Sequence, residues 1–158
     1  MGQRHDNTAM AIVQRVGEEM WVRYLERVAL GTPYTKVVER VAQIVARLRK
    51  RAVIVDATGV GRPVVDSLRR AGLGCEITAV TITGGERESR TGSNYCVPKH
   101  DPVAGLQLAL EKGELRVASR LREAGALARE MLSVRVRSGF AAGRGGWGRM
   151  VMANTTTW

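Results

Sequence analysis

The segment around Asp56 combines residue types that could do chemistry at the end of a strand. Residues 52–55 (Ala-Val-Ile-Val) are apolar and largely β-branched, typical of a strand covered on both faces, and Asp56 follows directly. Because α/β sheets place their ligands at the carboxyl ends of their strands, this carboxylate is a candidate metal ligand or general base. Gly59 and Gly61 permit a tight turn into a helix that begins near Pro63. The alternative role is that of a turn or helix-capping aspartate.

Length, charge and cysteine usage bound the class of protein. A chain of 158 residues predicts a single domain spanning residues 1–158. The net charge of +10 either indicates a polyanionic partner or reflects an arginine-rich composition, and both explanations stay open. Cys75 and Cys96 match no zinc or redox spacing. The absence of a long apolar run or a signal peptide predicts a cytoplasmic protein with no membrane partner.

The order of hydrophobic patterns predicts an α/β fold. Strands over residues 8–16 and 20–30 form a leading hairpin, and an amphipathic helix over 34–48 then precedes the Asp56 strand. A helix and a strand over 75–82 follow. This order predicts a mixed sheet with helices on both faces, in which the Asp56 strand is central, parallel and next to the strand over residues 8–16.

The second half of the chain carries weaker patterns. Residues 83–95 predict an exposed loop at the Asp56 edge, and Asp101 begins a helix that turns Val103, Leu106 and Leu110 inward. Residues 134–140 begin with Val-Arg-Val-Arg, an alternation that predicts an edge strand. Residues 140–158 are glycine-rich at first and are a candidate flexible tail.

Five segments occur together along the chain: GQRHDNTA from residue 2, LGTPY from residue 30, VDATGVGRPVVD from residue 55, TITGG from residue 81 and VPK from residue 97. In this order and spacing they resemble the nuclease domain of the phage large terminase subunit, which cuts and packages viral DNA. The resemblance implies a ribonuclease H-like fold with a mixed five-stranded sheet and helices on both faces. It also implies a two-metal endonuclease in which carboxylates at neighbouring strand ends hold Mg²⁺ or Mn²⁺.

The resemblance assigns catalytic and metal-binding roles to two acids. Asp56 matches the middle metal ligand of the family, and Asp6 matches a further acid of its first motif. The family's first catalytic aspartate would precede Met1, and its last acidic pair falls at Gly148 and Arg149. Because two-metal hydrolysis needs several carboxylates, this incomplete set predicts weak or absent cleavage.

The implied partners are double-stranded DNA and phage packaging proteins such as the portal and the small terminase, within a bacterial host cell. The candidate DNA-contacting residues are Arg62, Arg87, Arg90, Lys99, His100, Arg135, Arg137 and Arg144. For Arg135 and Arg137, protection of a sheet edge is an equal alternative.

Two other functions stay open. One is a non-catalytic module that binds DNA or a partner on the same scaffold. The other is a nucleotide-binding protein, although the Gly59–Gly61 turn lacks a third glycine and a P-loop lysine.

Overall fold

The computed structural model describes residues 7–133 and the backbone of residues 149–156. These residues form a mixed α/β fold with eight strands and four helices. In chain order the elements are β1 (Thr8–Val16), β2 (Glu19–Arg27), α1 (Tyr34–Val45), β3 (Ala52–Asp56), α2 (Arg62–Arg70), β4 (Glu76–Thr83), β5 (Ser89–Thr91), β6 (Asn94–Pro98), α3 (His100–Glu111), β7 (Leu115–Val117), α4 (Ala124–Ser133) and β8 (Arg149–Thr156).

The strands lie in the order β5-β6-β4-β3-β8-β1-β2-β7. Strands β3, β4 and β6 run parallel to one another, and β5 is antiparallel to β6. The hairpin β1–β2 is antiparallel, and β7 joins β2 in parallel. Strand β8 is parallel to β1 and antiparallel to β3, so it connects a four-stranded part of the sheet to a three-stranded part.

The strand order corrects two sequence-based predictions. The prediction that β3 lies beside β1 is wrong, because β8 lies between them and pairs with the edge of backbone groups that each would otherwise leave unpaired. The described sheet also has eight strands rather than five. Besides β8, the difference comes from β5 and β6, of which the first lies within the predicted loop over residues 83–95 and the second begins there. Within the candidate tail of residues 140–158, residues 149–156 form a strand.

The hydrophobic core lies between the sheet and helices α1 and α2. Helix α1 buries Val37, Val41 and Val45, which recur every four residues and so share one helix face. On β3, Val53 and Val55 alternate with half-buried residues, as expected of one face of a strand. The same cluster includes Met10, Ala57, Val64, Val65, Leu68, Ile77 and Ala79. The prediction of an amphipathic helix before the Asp56 strand is confirmed.

Helix α3 packs less closely than its sequence predicts. Its buried residue is Ala109, whereas Leu106 and Leu110 are 40% and 45% exposed. The prediction that these two leucines point inward is therefore wrong. The helix contacts β6 and β7, and neither the sheet core nor α1 and α2 supplies a surface for its leucines. No helix in the described part of the chain has the length and apolar character needed to cross a membrane.

A polar cluster ties α1 to the β1–β2 hairpin. The Arg40 guanidinium donates to Glu26 at 3.0 Å and to the Tyr24 hydroxyl at 2.8 Å, and that hydroxyl donates to Glu26. Partial burial, followed by the bond to Glu26, raises the pKa of the Tyr24 phenol, so it stays protonated at neutral pH. Strand β2 and the helix that follows it are therefore joined by one arginine.

We expect Arg40→Ala to lower the free energy of unfolding by about 1 kcal/mol, since Glu26 and Tyr24 would lose their shared donor at a partly solvated site. Lys36→Ala is the matched control, because Lys36 lies on the same helix and pairs with Glu39 on an exposed surface. Urea denaturation of both variants measures the difference. Equal midpoints for the two variants would show that the cluster contributes nothing specific.

Candidate functional site

Asp56 lies at the carboxyl end of a central strand, as the sequence predicts. Its side chain is half-buried, and its Oδ1 accepts a hydrogen bond of 2.9 Å from the backbone N–H of Thr58. This bond closes an Asx turn, so the turn-forming role that the sequence left open is also present. Within the described residues, no donor bonds its Oδ2. The Asp56 side chain therefore stabilises its own turn through Oδ1, and its Oδ2 is available to a ligand.

The turn after Asp56 is docked on the neighbouring strand β4. The Ala57 N–H donates to the Val80 carbonyl at 2.7 Å, and the Thr58 hydroxyl accepts from the Ile82 N–H at 2.8 Å. A Cβ on Gly61 would overlap the carbonyl oxygen of Asp56, so a glycine is needed there. Gly59 has a φ of 62°, which also favours glycine. The position of Asp56 is therefore set by backbone contacts on both of its sides.

Five consecutive strands of the sheet, from β6 to β1, each have one end at the same edge, which we call the Asp56 edge. Strands β3, β4 and β6 are parallel and all end there. Strand β8 begins there because it is antiparallel to β3, and β1 begins there because Thr8 pairs with Arg149 of β8. Extending the β3–β8 register by one pair puts Met150 opposite Asp56. The segment that the resemblance aligns with the last acidic pair thus reaches the same edge.

Three predicted DNA-contacting residues lie at the ends of elements along this edge. Lys99 follows β6 directly, and its N–H donates to the Thr83 carbonyl at 2.9 Å. His100 begins α3, and its Nε2 lies 2.9 Å from Asp101 Oδ1. Arg62 begins α2 just after the Asp56 turn. Lys99, His100 and Arg62 are all exposed, so they are available to a ligand.

Arg90 lies farther from Asp56 but on the same transverse row of the sheet. In the register Asp56 pairs with Val80, Val80 with Tyr95, and Tyr95 with Arg90. Three strand spacings separate Arg90 from Asp56, which is about 14 Å. The Arg90 guanidinium stacks over the Tyr95 ring at 5.0 Å from its centroid, and its Nε donates to the Gly92 carbonyl. Arg87 is exposed in the connection between β4 and β5.

Four predicted site residues lie outside the described residues. These are Asp6, Arg135, Arg137 and Arg144. Their assignment to metal binding or DNA contact therefore stays a prediction. Strand β1 begins two residues after Asp6, at the Asp56 edge.

The carboxylates needed for two metals are not assembled within the described residues. Among these residues no group of three His, Cys, Asp or Glu side chains converges in a way that could hold a metal ion. Asp56 is the one carboxylate that the described residues place at the expected ligand position, while Asp101 pairs with His100. Hard divalent cations require several oxygen ligands, so this donor set does not fit the two ions that the resemblance implies. We therefore derive no catalytic step through a metal.

Two features of the structure were not predicted from the sequence. The Thr58 hydroxyl links the Asp56 turn to β4, and no sequence pattern indicates such a contact. The second feature is a group of exposed cations at the opposite edge of the sheet. Its sequence signal is the run Arg-Leu-Arg-Lys-Arg at residues 47–51, which falls between a helix and a strand.

Comparisons with known proteins give no relative for this chain. No model of a protein family matches it, and neither the curated proteins nor the solved structures include a match.

Proposed function

We propose that the chain is a duplex-DNA-binding domain of the terminase nuclease type, which acts in viral DNA packaging and cleaves DNA slowly or not at all. The observation that carries the proposal is the placement of Asp56. A carboxylate at the carboxyl end of a central parallel strand, beside exposed cations, suits a site that handles phosphodiesters. In this proposal Asp56 and Asp6 are the ligands that the resemblance assigns to Mg²⁺ or Mn²⁺, and they are too few to hold two ions, so cleavage is slow or absent.

Duplex DNA is the partner that the charge distribution favours. Arg62, Arg87 and Lys99 are exposed, and none of them forms an ion pair with a described carboxylate. Cations without a partner are free to replace the counterions of a phosphate backbone, which makes binding favourable and salt-dependent. Contacts of this type position a duplex without reading its sequence. The portal and the small terminase are further partners under this proposal.

A ribonuclease H-like fold belongs to the same proposal. Its support is an antiparallel hairpin, followed by a helix, followed by parallel strands whose carboxyl ends carry the candidate acid. The described sheet departs from the five-stranded arrangement in having eight strands and in the insertion of β8 between β1 and β3.

The second candidate is a non-catalytic module on the same scaffold. The specific observation in its favour is that Asp56 already accepts a hydrogen bond from its own turn. An aspartate that stabilises a turn in this way has a structural role whether or not the chain cleaves DNA. The two candidates therefore differ in whether the Asp56 carboxylate affects DNA cleavage.

A plasmid-nicking assay in Mg²⁺ and in Mn²⁺ tests the proposal. We expect the full chain to relax supercoiled DNA slowly or not at all, because the described residues bring one carboxylate to the ligand position. If slow cleavage is seen, Asp56→Asn should abolish it, and Asp66→Asn is the matched control on the exposed surface of α2. Slow cleavage that Asp56→Asn abolishes favours residual nuclease activity, and DNA binding without any cleavage favours a domain that keeps the scaffold and has lost the activity, which is the non-catalytic candidate. Rapid metal-dependent cleavage that survives Asp56→Asn would contradict the assignment of the site.

A further inference from the structure

A second group of cations lies at the edge of the sheet opposite Asp56. Helix α1 ends at Val45, and the connection to β3 carries exposed Arg47, Arg49 and Lys50. The last turn of α2, just before the connection to β4, carries exposed Arg69 and Arg70. Because β3 and β4 are adjacent and parallel, the connections that enter them meet at one edge. We call these five residues the amino-edge patch.

Arg51 holds the two connections of the patch together. It is half-buried, and its guanidinium donates to the Leu48 carbonyl on one connection and to the Leu73 carbonyl, at 3.3 Å, on the other. Helices α1 and α2 also contact each other. The exposed cations of the patch therefore lie on two segments whose backbones are joined by the hydrogen bonds of Arg51, rather than on independent loops.

The patch lacks the acidic partners that other cations of the chain have. Arg27, Arg40 and Arg116 each form an ion pair with a glutamate. By contrast, no patch residue forms an ion pair with a described carboxylate, and exposed Glu76 at the start of β4 is not paired with any of them. Arg69 donates to the neutral side chains of Ser93 and Asn94. The patch is thus a local excess of positive charge.

Helix electrostatics accounts for only part of this excess. Arg69 and Arg70 lie in the last turn of α2, where a cation is stabilised by the helix dipole. The last turn of α1, however, contains no basic residue, and Arg49 and Lys50 lie four and five residues beyond its end at Val45. Clustered like charges repel one another in the free protein. A polyanion would relieve that repulsion and release counterions.

We propose that the amino-edge patch binds the phosphate backbone of duplex DNA, at a place separate from the Asp56 edge. This inference rests on the proposed function in one respect, that duplex DNA is the partner. The five residues of β3 separate the two edges by about 16 Å, so the two sets of cations make distinct contacts. Arg47, Arg49 and Lys50 are the principal phosphate contacts, since their side chains form no hydrogen bond or ion pair within the described residues, whereas Arg69 and Arg70 donate to neutral side chains.

The test compares three triple variants of the full chain in duplex-DNA binding titrations at several NaCl concentrations. The patch variant combines Arg47→Ala, Arg49→Ala and Lys50→Ala. The charge-matched control combines Lys36→Ala, Lys112→Ala and Arg122→Ala, which are exposed cations that pair with glutamates elsewhere on the surface. The Asp56-edge variant combines Arg62→Ala, Arg87→Ala and Lys99→Ala. Thermal unfolding midpoints within a few degrees of the wild type show that all variants are folded.

The patch variant should bind at least about tenfold more weakly than the wild type near 0.1 M salt, and the slope of log affinity against log salt should become shallower by about 2 to 3. The charge-matched control should change much less. An equal loss in both would show that net charge alone matters and would overturn the inference. If only the Asp56-edge variant loses affinity, the inference fails while the proposed function stands. If the wild type binds anionic lipid vesicles and not DNA, both fail.

Discussion

Replacing Ala153 with proline is expected to unfold the chain or to lower its stability by at least about 3 kcal/mol. Ala153 lies in β8, where it is paired with Ile12 of β1 on one side and with Val53 of β3 on the other. Proline lacks the N–H that a strand paired on both sides must donate, and it is rarely found in central strands. The loss is large relative to the 5–15 kcal/mol that typically stabilises a domain.

The consequence of this substitution extends beyond one hydrogen bond. Within the described residues, β8 is the strand through which the β3–β6 part of the sheet meets the β1–β2–β7 part. Without β8, strands β1 and β3 would each expose an unpaired edge, which favours aggregation. We therefore expect Ala153→Pro to show a broad, low-temperature unfolding transition and increased light scattering.

Ser119→Pro is the matched control for Ala153→Pro. Ser119 is the second residue of the turn in which the Leu121 N–H donates to the Ala118 carbonyl, a position where proline is favoured. Circular dichroism melting curves of the two variants give the comparison. A wild-type melting curve for Ala153→Pro would mean that β8 is not part of the sheet.

Gly61→Ala is expected to lower the free energy of unfolding by about 1 to 3 kcal/mol, the usual cost of forcing a methyl group into a packed site. The added Cβ would overlap the carbonyl oxygen of Asp56, so the turn must move. Since that turn connects the end of β3 to α2, the displacement also shifts the Asp56 carboxylate. Urea denaturation measures the stability loss directly.

Gly84→Ala is the control for Gly61→Ala. Its Cβ would meet no atom within 4 Å, and its backbone does not adopt a positive φ. We expect its urea midpoint to match or slightly exceed that of the wild type, because alanine restricts the unfolded chain. Indistinguishable midpoints for the two alanine variants would contradict the close approach of Gly61 to Asp56.

The strongest local patterns in the sequence predicted the elements that carry Asp56. An apolar β-branched run followed by glycines and a proline identifies a strand, a turn and a helix, because each residue type restricts its own backbone. The spacing of valines along α1 likewise predicted the face that packs on the sheet. In both segments the local preference and the tertiary contact agree, so the sequence was sufficient.

The place of β8 could not be predicted in the same way. Residues 149–156 pair with β1 and β3, which lie far away in sequence, and register across such distances has no local signature. For Leu106 and Leu110, helical spacing indicated a buried face that the surrounding elements do not provide. The amino-edge patch was missed because its residues come from one connection and from the last turn of α2, which only the parallel pairing of β3 and β4 brings to one edge.

The affinity of the full chain for a 30-base-pair duplex, measured against NaCl concentration without divalent cations, tests the central claim most directly. We predict a slope of log affinity against log salt of about −4 or steeper, equal for two duplexes of unrelated sequence, because several cations contact phosphates and none reads a base. A slope near zero, or no binding at low salt, would contradict the assignment of duplex DNA as the partner of this chain.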